Sequence, residues 1–271
     1  MDIKVLGPLE AYQNGRTIAP SAAKPRQILA LLALQVGQVV TVPALIEELW
    51  GMNPPRSALT TLQTYIMQLR RRIEAALSTT SAGGAKEVLV TRYGGYMLDL
   101  TPEDVDVQRY ERLAVAGTRA LEQGDNEAGS RLLRAALEIW RGQALVDVQI
   151  GLRLGIEVTR LEESRLAVLE SRIEADLRLG RHNTLLSELA VLAARYPIHE
   201  NLCAQYMIAL YRSGRQWRAL EIFKSLRQTL VDELGVEPSA RLQHLQRAIL
   251  NSDPSLDESM FLTQTGLVVT P

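Results

Sequence analysis

A single cysteine, Cys203, in 271 residues excludes an intramolecular disulfide framework and a cysteine-based zinc site. It falls on an apolar helical stretch, which marks it as buried and inert. Aromatic residues make up only 5%. The core must therefore rest on Leu, Ala, Val and Ile, a mix that favours helix over a β-sandwich. No apolar run approaches the ~18 residues needed to cross a bilayer. Met1-Asp2-Ile3-Lys4-Val5 also lacks the basic and apolar regions of a signal peptide. A cytoplasmic protein without a membrane partner is the expectation. The three histidines, His182, His199 and His244, stand far apart on expected helices and do not suggest a metal site. Glu162-Glu163 and Glu170 with Glu174 lie at helical spacing beside Arg160, Arg165 and Arg172, as on an ion-paired surface. No catalytic constellation emerges and no phosphate-binding Gly-x-x-x-x-Gly-Lys-Ser/Thr run occurs. Neither an enzyme nor a cofactor site is expected.

What is present is an ordinary globular balance, 46% hydrophobic and 23% charged, in a chain long enough for two domains at ~150 residues each. The net charge of −1 conceals an asymmetry: residues 1–100 carry a net +3 and residues 101–271 a net −4. Residues 49–73 contain Arg56, Arg70, Arg71 and Arg72 and no acid. A local basic face on a near-neutral protein points to a polyanionic partner for one domain only.

The hydrophobic pattern changes period along the chain. Residues 3–9 and 10–18 read as strands turning at Asn14-Gly15. A helix follows Pro25 and stops at Gly37. A second begins at Thr41 as N-cap and ends at Gly51, with Leu45, Ile46, Leu49 and Trp50 as its buried side. A third is expected from Asn53-Pro54 to about Leu77. A Ser/Gly-rich loop over 78–85 leads to a hairpin, 87–92 and 96–100, around Gly94-Gly95. Beyond a polar linker at 101–104, strand signals almost vanish. Helices are expected at 107–123, 126–140, 152–179, 183–196, 198–213, 216–234 and 238–251, in pairs resembling tetratricopeptide hairpins. Residues 252–271 read as a tail. The fold class is thus mainly α: a winged helix-turn-helix with small sheets over 1–100, then an all-α domain over 101–251.

The third helix carries the functional signal. At ~100° per residue, Leu59, Leu62, Ile66, Leu69 and Ile73 share one stripe. The opposite face holds Ser57, Thr60, Thr61, Thr64, Gln68, Arg71 and, at its edge, Arg72. All can hydrogen-bond and none is acidic, the inventory that major-groove readout needs. Ser57, Thr60, Thr64, Gln68 and Arg71 are the base-reading candidates. Arg56, Arg70 and Arg72 suit phosphates better, and Arg70 lies only ~40° from Ile66, on the rim of the core stripe. The hairpin fits as a wing, with Lys86, Arg92 and Tyr93 placed for phosphates or a narrow minor groove. The short turn Gly51-Met52-Asn53-Pro54-Pro55 projects from the same side.

These segments resemble a known family. Residues 25–34, Val42-Pro-Ala-Leu-Ile-Glu-Glu-Leu-Trp-Gly51, Thr61-Leu-Gln-Thr-Tyr-Ile66, Leu69-Arg-Arg-Arg72 and Val90-Thr-Arg-Tyr-Gly-Gly-Tyr96 look like the Streptomyces antibiotic regulatory proteins. Ala136-Leu-Glu-Ile-Trp-Arg-Gly142, Leu179-Gly-Arg-His182, Tyr211-Arg-Ser-Gly-Arg215 and Glu233-Leu-Gly-Val-Glu-Pro-Ser239 resemble their bacterial transcriptional activation domain. The resemblance implies an OmpR-type winged helix fused to an activation domain. It further implies an activator of antibiotic biosynthetic genes that binds direct repeats in double-stranded promoter DNA near the −35 element. Such proteins recruit RNA polymerase holoenzyme through its sigma or alpha subunits, here with Gly51 to Pro55 as candidate contacts. Direct repeats call for head-to-tail self-association on DNA, and location at the nucleoid. Two departures from the family pattern stand out: Tyr93-Gly94-Gly95 where the wing often carries proline, and Val148-Gln149-Ile150-Gly151 in place of an aromatic-proline signature after Asp147. A helical-repeat adaptor, or a repressor using the same winged helix, is the alternative.

Overall fold

The computed structural model describes residues 1–77 and 84–256. The loop expected at 78–85 lies outside these residues as far as residue 83, and the tail expected at 252–271 lies outside from residue 257. The chain divides into two compact units. One combines Met1–Val115 with Ala135–Leu166, and the other combines Ala116–Arg134 with the chain from Ala167 on.

The first unit opens with an antiparallel sheet in the order β1 (Asp2–Lys4), β2 (Glu10–Gln13), β3 (Arg16–Thr17). Ile3 faces Ala11 and Tyr12 faces Thr17. Asn14 and Gly15 turn β2 into β3 with φ of 51° and 74°, as the sequence predicts. The expected strand over 3–9 is cut short after Lys4. Val5 and Leu6 donate their N–H groups to the Asp106 carboxylate at 2.8 and 3.1 Å. The carbonyls of Leu6 and Val5 accept from the backbone N–H groups of Arg141 and Leu145. Tertiary partners thus satisfy the backbone that a strand neighbour would otherwise pair.

Three helices follow: α1 (Ala23–Leu34), α2 (Val42–Trp50) and α3 (Ala58–Ala76). Ile28, Leu31 and Leu32 of α1, Leu45 of α2 and Leu62, Ile66 and Leu69 of α3 form the core, each at 2% exposure or less. A second antiparallel sheet closes over them in the order β4 (Val40–Thr41), β6 (Gly95–Leu98), β5 (Leu89–Arg92). Glu87 and Val88, expected to begin the wing strand, belong instead to the single-turn helix α4 (Ala85–Val88). Its first N–H, from Ala85, is capped by the Glu74 carboxylate at 2.7 Å.

The chain continues through α5 (Asp106–Glu122), α6 (Asn126–Leu137), α7 (Leu152–Arg178), α8 (His182–Arg195), α9 (Glu200–Arg212), α10 (Gln216–Leu234) and α11 (Ala240–Leu250). These match the helices expected from periodicity to within a few residues, and the chain is mainly helical. In the second unit α8 packs on α9, α9 on α10, and α11 on both α9 and α10. The ion-paired surface expected around Glu174 and Arg172 is in part interior: the two are 6% and 3% exposed. Asp176, fully buried, accepts from the Ser130 hydroxyl at 2.6 Å and from Arg134 and Arg181 at 2.8 and 3.0 Å. Residues 254–256, expected in the tail, form a short helical turn whose Leu256 is buried, with its carbonyl accepting from Arg212 at 2.7 Å.

Candidate nucleic-acid interface

The candidate interface is built on a helix-turn-helix whose first helix is capped at both ends. Thr41 begins α2, its hydroxyl accepting from the Ala44 N–H at 3.3 Å. Gly51 ends it with φ 59°, as expected of a C-terminal glycine. Lys24 reinforces that end: its ammonium donates to the Leu49 carbonyl at 2.6 Å and lies 4.7 Å from the Trp50 ring centroid. Burial pushes the Lys24 pKa below its ordinary value. Ile46 and Trp50, expected on the buried side of α2, are half-buried, and Glu48 takes an interior place instead.

Helix α3 starts at Ala58, four residues later than Asn53-Pro54 predicts. Pro54 and Pro55 disfavour helical backbone at the residues before them, so Gly51 to Ser57 form an exposed connection, with Met52 91% exposed. The other end of α3 is clamped by the β2–β3 turn. Asn14 donates to the Ala76 carbonyl at 3.0 Å and Arg16 to Ala75 at 3.2 Å, filling acceptors that the helix itself leaves open.

The buried stripe of α3 is Ala58, Leu62, Ile66, Leu69, Ile73 and Ala76. Leu59, expected in it, is 49% exposed, because it lies ~65° from the stripe's centre, beyond its margin. Directly opposite the stripe the structure brings Thr60, Thr64, Gln68 and Arg71 together on one exposed face, with Ser57 at its start. Thr61 is half-buried on the flank, 3.5 Å from the Ser57 hydroxyl. The same face contains two residues not singled out in the sequence, Gln63 and Met67, both exposed. Angular position alone identifies Met67, ~100° from Ile66 and between Gln63 and Thr60; its apolar character points to the core instead.

The arginines separate by geometry. Arg71 and Arg56 are exposed. Arg72 is exposed while donating one bond to the Ala19 carbonyl at 3.3 Å. Arg70, expected at phosphates, is turned inward. Its Nε and Nη2 donate to the Leu89 carbonyl at 2.9 and 2.7 Å, and Nη2 donates again to the Thr91 hydroxyl at 2.8 Å. Its guanidinium also lies 6.0 Å from the Tyr96 ring centroid. Arg70 therefore ties the wing to the helix.

The wing is the β5–β6 hairpin, with Arg92 paired to Gly95 and a two-residue tip, Tyr93-Gly94. Arg92, Tyr93 and Lys86 are all exposed. Gly95 must be glycine: a Cβ there would lie 2.2 Å from the Val40 carbonyl oxygen, where β4 and β6 pair. Between α3 and the wing runs an open groove of about 360 Å³, lined by Gln63, Met67, Arg71, Lys86 and Tyr96 among others.

Sequence reasoning missed the residue that anchors the helix-turn-helix from behind. Glu48, on the interior side of α2, is 3% exposed. Its carboxylate accepts from the N–H groups of Gly151, Arg153 and Leu154 at 2.7, 2.8 and 3.1 Å and from the Gln27 amide at 3.0 Å. It thereby caps the first turn of α7. Gly151 permits the approach, since a Cβ there would meet the Glu48 carbonyl at 2.3 Å. Asp147 makes a parallel tie, accepting from the Leu9 N–H at 2.7 Å and from Arg26. Among the described residues no helix is long and apolar enough to cross a membrane, and no cluster of His, Cys, Asp and Glu could hold a metal.

This arrangement agrees with what the chain is similar to. Residues 18–98 match the model of the C-terminal domain of transcriptional regulatory proteins, and residues 105–250 match the bacterial transcriptional activator domain. The regulatory protein DnrI of Streptomyces peucetius is 62% identical over 96% of this chain and 95% of its own length. The transcriptional regulator RedD of Streptomyces coelicolor is 36% identical over 94% of this chain and 72% of its own. The regulatory protein AfsR of the same species is 40% identical, but this chain spans only 24% of it. A solved structure of Mycobacterium tuberculosis EmbR in complex with a low-affinity phosphopeptide superposes with a TM-score of 0.86 at 30% identity, covering 97% of this chain and 68% of that one. With both domain models matched in order and DnrI aligned along nearly its whole length, the chain belongs to the Streptomyces antibiotic regulatory protein family of transcriptional activators, not to a family of enzymes.

Proposed function

We propose that this protein activates a secondary-metabolite gene cluster by binding direct repeats near the −35 element of its promoters and recruiting RNA polymerase holoenzyme. One observation carries the reading: the exposed face of α3 is a run of Thr60, Thr64, Gln68 and Arg71 with no acid from residue 49 to 73. An exposed helix face serving only solubility mixes charges of both signs, whereas a groove-reading face excludes carboxylates that phosphates would repel.

Ser57, Thr60, Thr64, Gln68 and Arg71 read base edges in the major groove. Arg56 and Arg72 hold phosphates, and Lys86, Arg92 and Tyr93 bring the wing to the backbone and minor groove. Arg70 acts by positioning the wing. Residues 1–100 supply DNA binding and residues 101–251 activation. The exposed Gly51-Met52-Asn53-Pro54-Pro55 connection, which precedes the reading helix, is the surface offered to sigma or alpha subunits. Two protomers lie head to tail on the repeats at the nucleoid, about one helical turn apart, so that both occupy one side of the duplex.

In-vitro transcription with purified holoenzyme on a promoter of the adjacent cluster tests this. Wild type stimulates transcription and Arg71→Ala does not. Binding with inhibition makes the protein a repressor, and unchanged DNA affinity in Arg71→Ala makes it an adaptor whose winged helix binds protein.

A further inference from the structure

We propose that Met67 and the methyl group of Thr64 together form an apolar reading element that recognises the C5 methyl of a thymine in each repeat. The inference rests on the assignment of α3 as the base-reading helix. Met67 is 45% exposed and lies ~35° from the centre of the face opposite the core. Its neighbours there are Gln63, Thr60, Thr64 and Arg71, all able to hydrogen-bond. A thioether on such a face offers a base edge no donor and only a weak acceptor, and so suits an apolar group better.

Thr64 adds a second apolar group. Its hydroxyl donates to the Thr60 carbonyl at 3.0 Å, so Oγ1 is turned back onto the helix backbone. Cγ2 occupies a different staggered position, and the residue is exposed. Three residues apart, Thr64 and Met67 are neighbours on the helix surface, ~4.5 Å apart along its axis. Among the base edges of the major groove only thymine presents an apolar group, its C5 methyl. Guanine, adenine or cytosine at that place would lose water from polar atoms without gaining a partner. The Thr64–Met67 pair therefore selects thymine next to the bases that Gln68 and Arg71 read.

The test uses the full-length protein and a promoter duplex whose protected repeats are defined by footprinting. Each thymine is replaced singly by deoxyuridine, which removes the C5 methyl and leaves base pairing intact. One position per repeat weakens wild-type binding about fourfold, the effect of withdrawing one buried methyl. Met67→Ala, a change at an exposed site, binds the unmodified duplex weakly to a similar degree and is indifferent to deoxyuridine there. Met67→Leu keeps the discrimination. The proposal is overturned if no deoxyuridine position affects wild type, or if Met67→Ala remains as sensitive as wild type. Arg71→Ala on the unmodified duplex reports the underlying reading separately. Selective binding lost in Arg71→Ala without any deoxyuridine effect overturns the thymine assignment alone. Selective binding retained in Arg71→Ala, with no deoxyuridine effect that depends on Met67, overturns the base-reading helix and the thymine assignment with it.

Discussion

Replacing Glu48 by Gln perturbs the fold while leaving the exposed face of α3 untouched. The wild-type carboxylate accepts four bonds: Oε1 from Gly151 N–H and Gln27 Nε2, Oε2 from Arg153 and Leu154 N–H, all between 2.7 and 3.1 Å. A glutamine can place its carbonyl on only one of the two sides. Facing Gly151 and Gln27, its NH2 group opposes the Arg153 and Leu154 donors, and two bonds are replaced by two donor–donor contacts. Hydrogen bonds to a charged acceptor contribute ~1.5–3 kcal/mol each, and the carboxylate also complements the positive end of the α7 dipole. At 3% exposure water does not replace what is lost. The expected destabilisation is ~3–5 kcal/mol, in the range measured when one partner of a buried charged contact is removed. Urea unfolding followed by circular dichroism reads it as a lower midpoint at unchanged slope. A loss below about 1 kcal/mol would refute the reasoning, because it would mean that Glu48 contributes no more than a solvated surface carboxylate.

Three further outcomes are expected. Arg70→Ala weakens DNA binding through a loosened wing but leaves the dependence of log Kd on log salt unchanged, whereas Arg72→Ala lowers that slope by about 1; an equal drop in both variants would place Arg70 on a phosphate. Burial raises the Asp176 pKa, but the Ser130 hydroxyl and the guanidinium groups of Arg181, Arg134 and Arg172 outweigh it and hold the group below its ordinary value. Its stabilisation is therefore complete above the unfolded-chain pKa near 4 and is lost as pH falls through the lower folded value. Asp176→Asn should cost ~3 kcal/mol at neutral pH by thermal or chemical melts, with the gap from wild type closing in acid; a gap independent of pH would contradict this. Cys203 is 4% exposed and burial pushes its thiol up to about 12, so the native protein resists alkylation at pH 8 and reacts only when denatured, as thiol titration with a chromogenic disulfide would report.

Local signals made much of the architecture legible. The Asn14-Gly15 turn, the Thr41 N-cap, the Gly51 stop and the seven helices after residue 105 follow from backbone preferences and apolar spacing, which act over a few residues and need no tertiary partner. The start of α3 was misread because Pro54 suits a first helical turn as well as it suits an extended connection, and only the second proline, Pro55, decides between them. Leu59 falls outside the core because apolar spacing says where a stripe is centred but not how wide the buried part of it is. Glu174 and Arg172 look like surface residues by type, and burial beside their respective partners, Arg178 for the one and Asp176 with Glu188 for the other, cannot be seen from type alone.

The sequence by itself determined that this chain is a winged helix followed by a helical domain, with an exposed α3 face that carries no acid. Those properties reside in periodicity, in caps and in the absence of negative charge at particular positions. The tertiary structure decided which arginine faces outward and which one holds the wing, and that Glu48, Asp106 and Asp147 bind the helix-turn-helix and first sheet to backbone donors in both halves of the sequence. Those contacts pair residues about 100 or more positions apart. A buried carboxylate is stable only where several N–H groups converge on it, and that convergence exists only once the chain has folded.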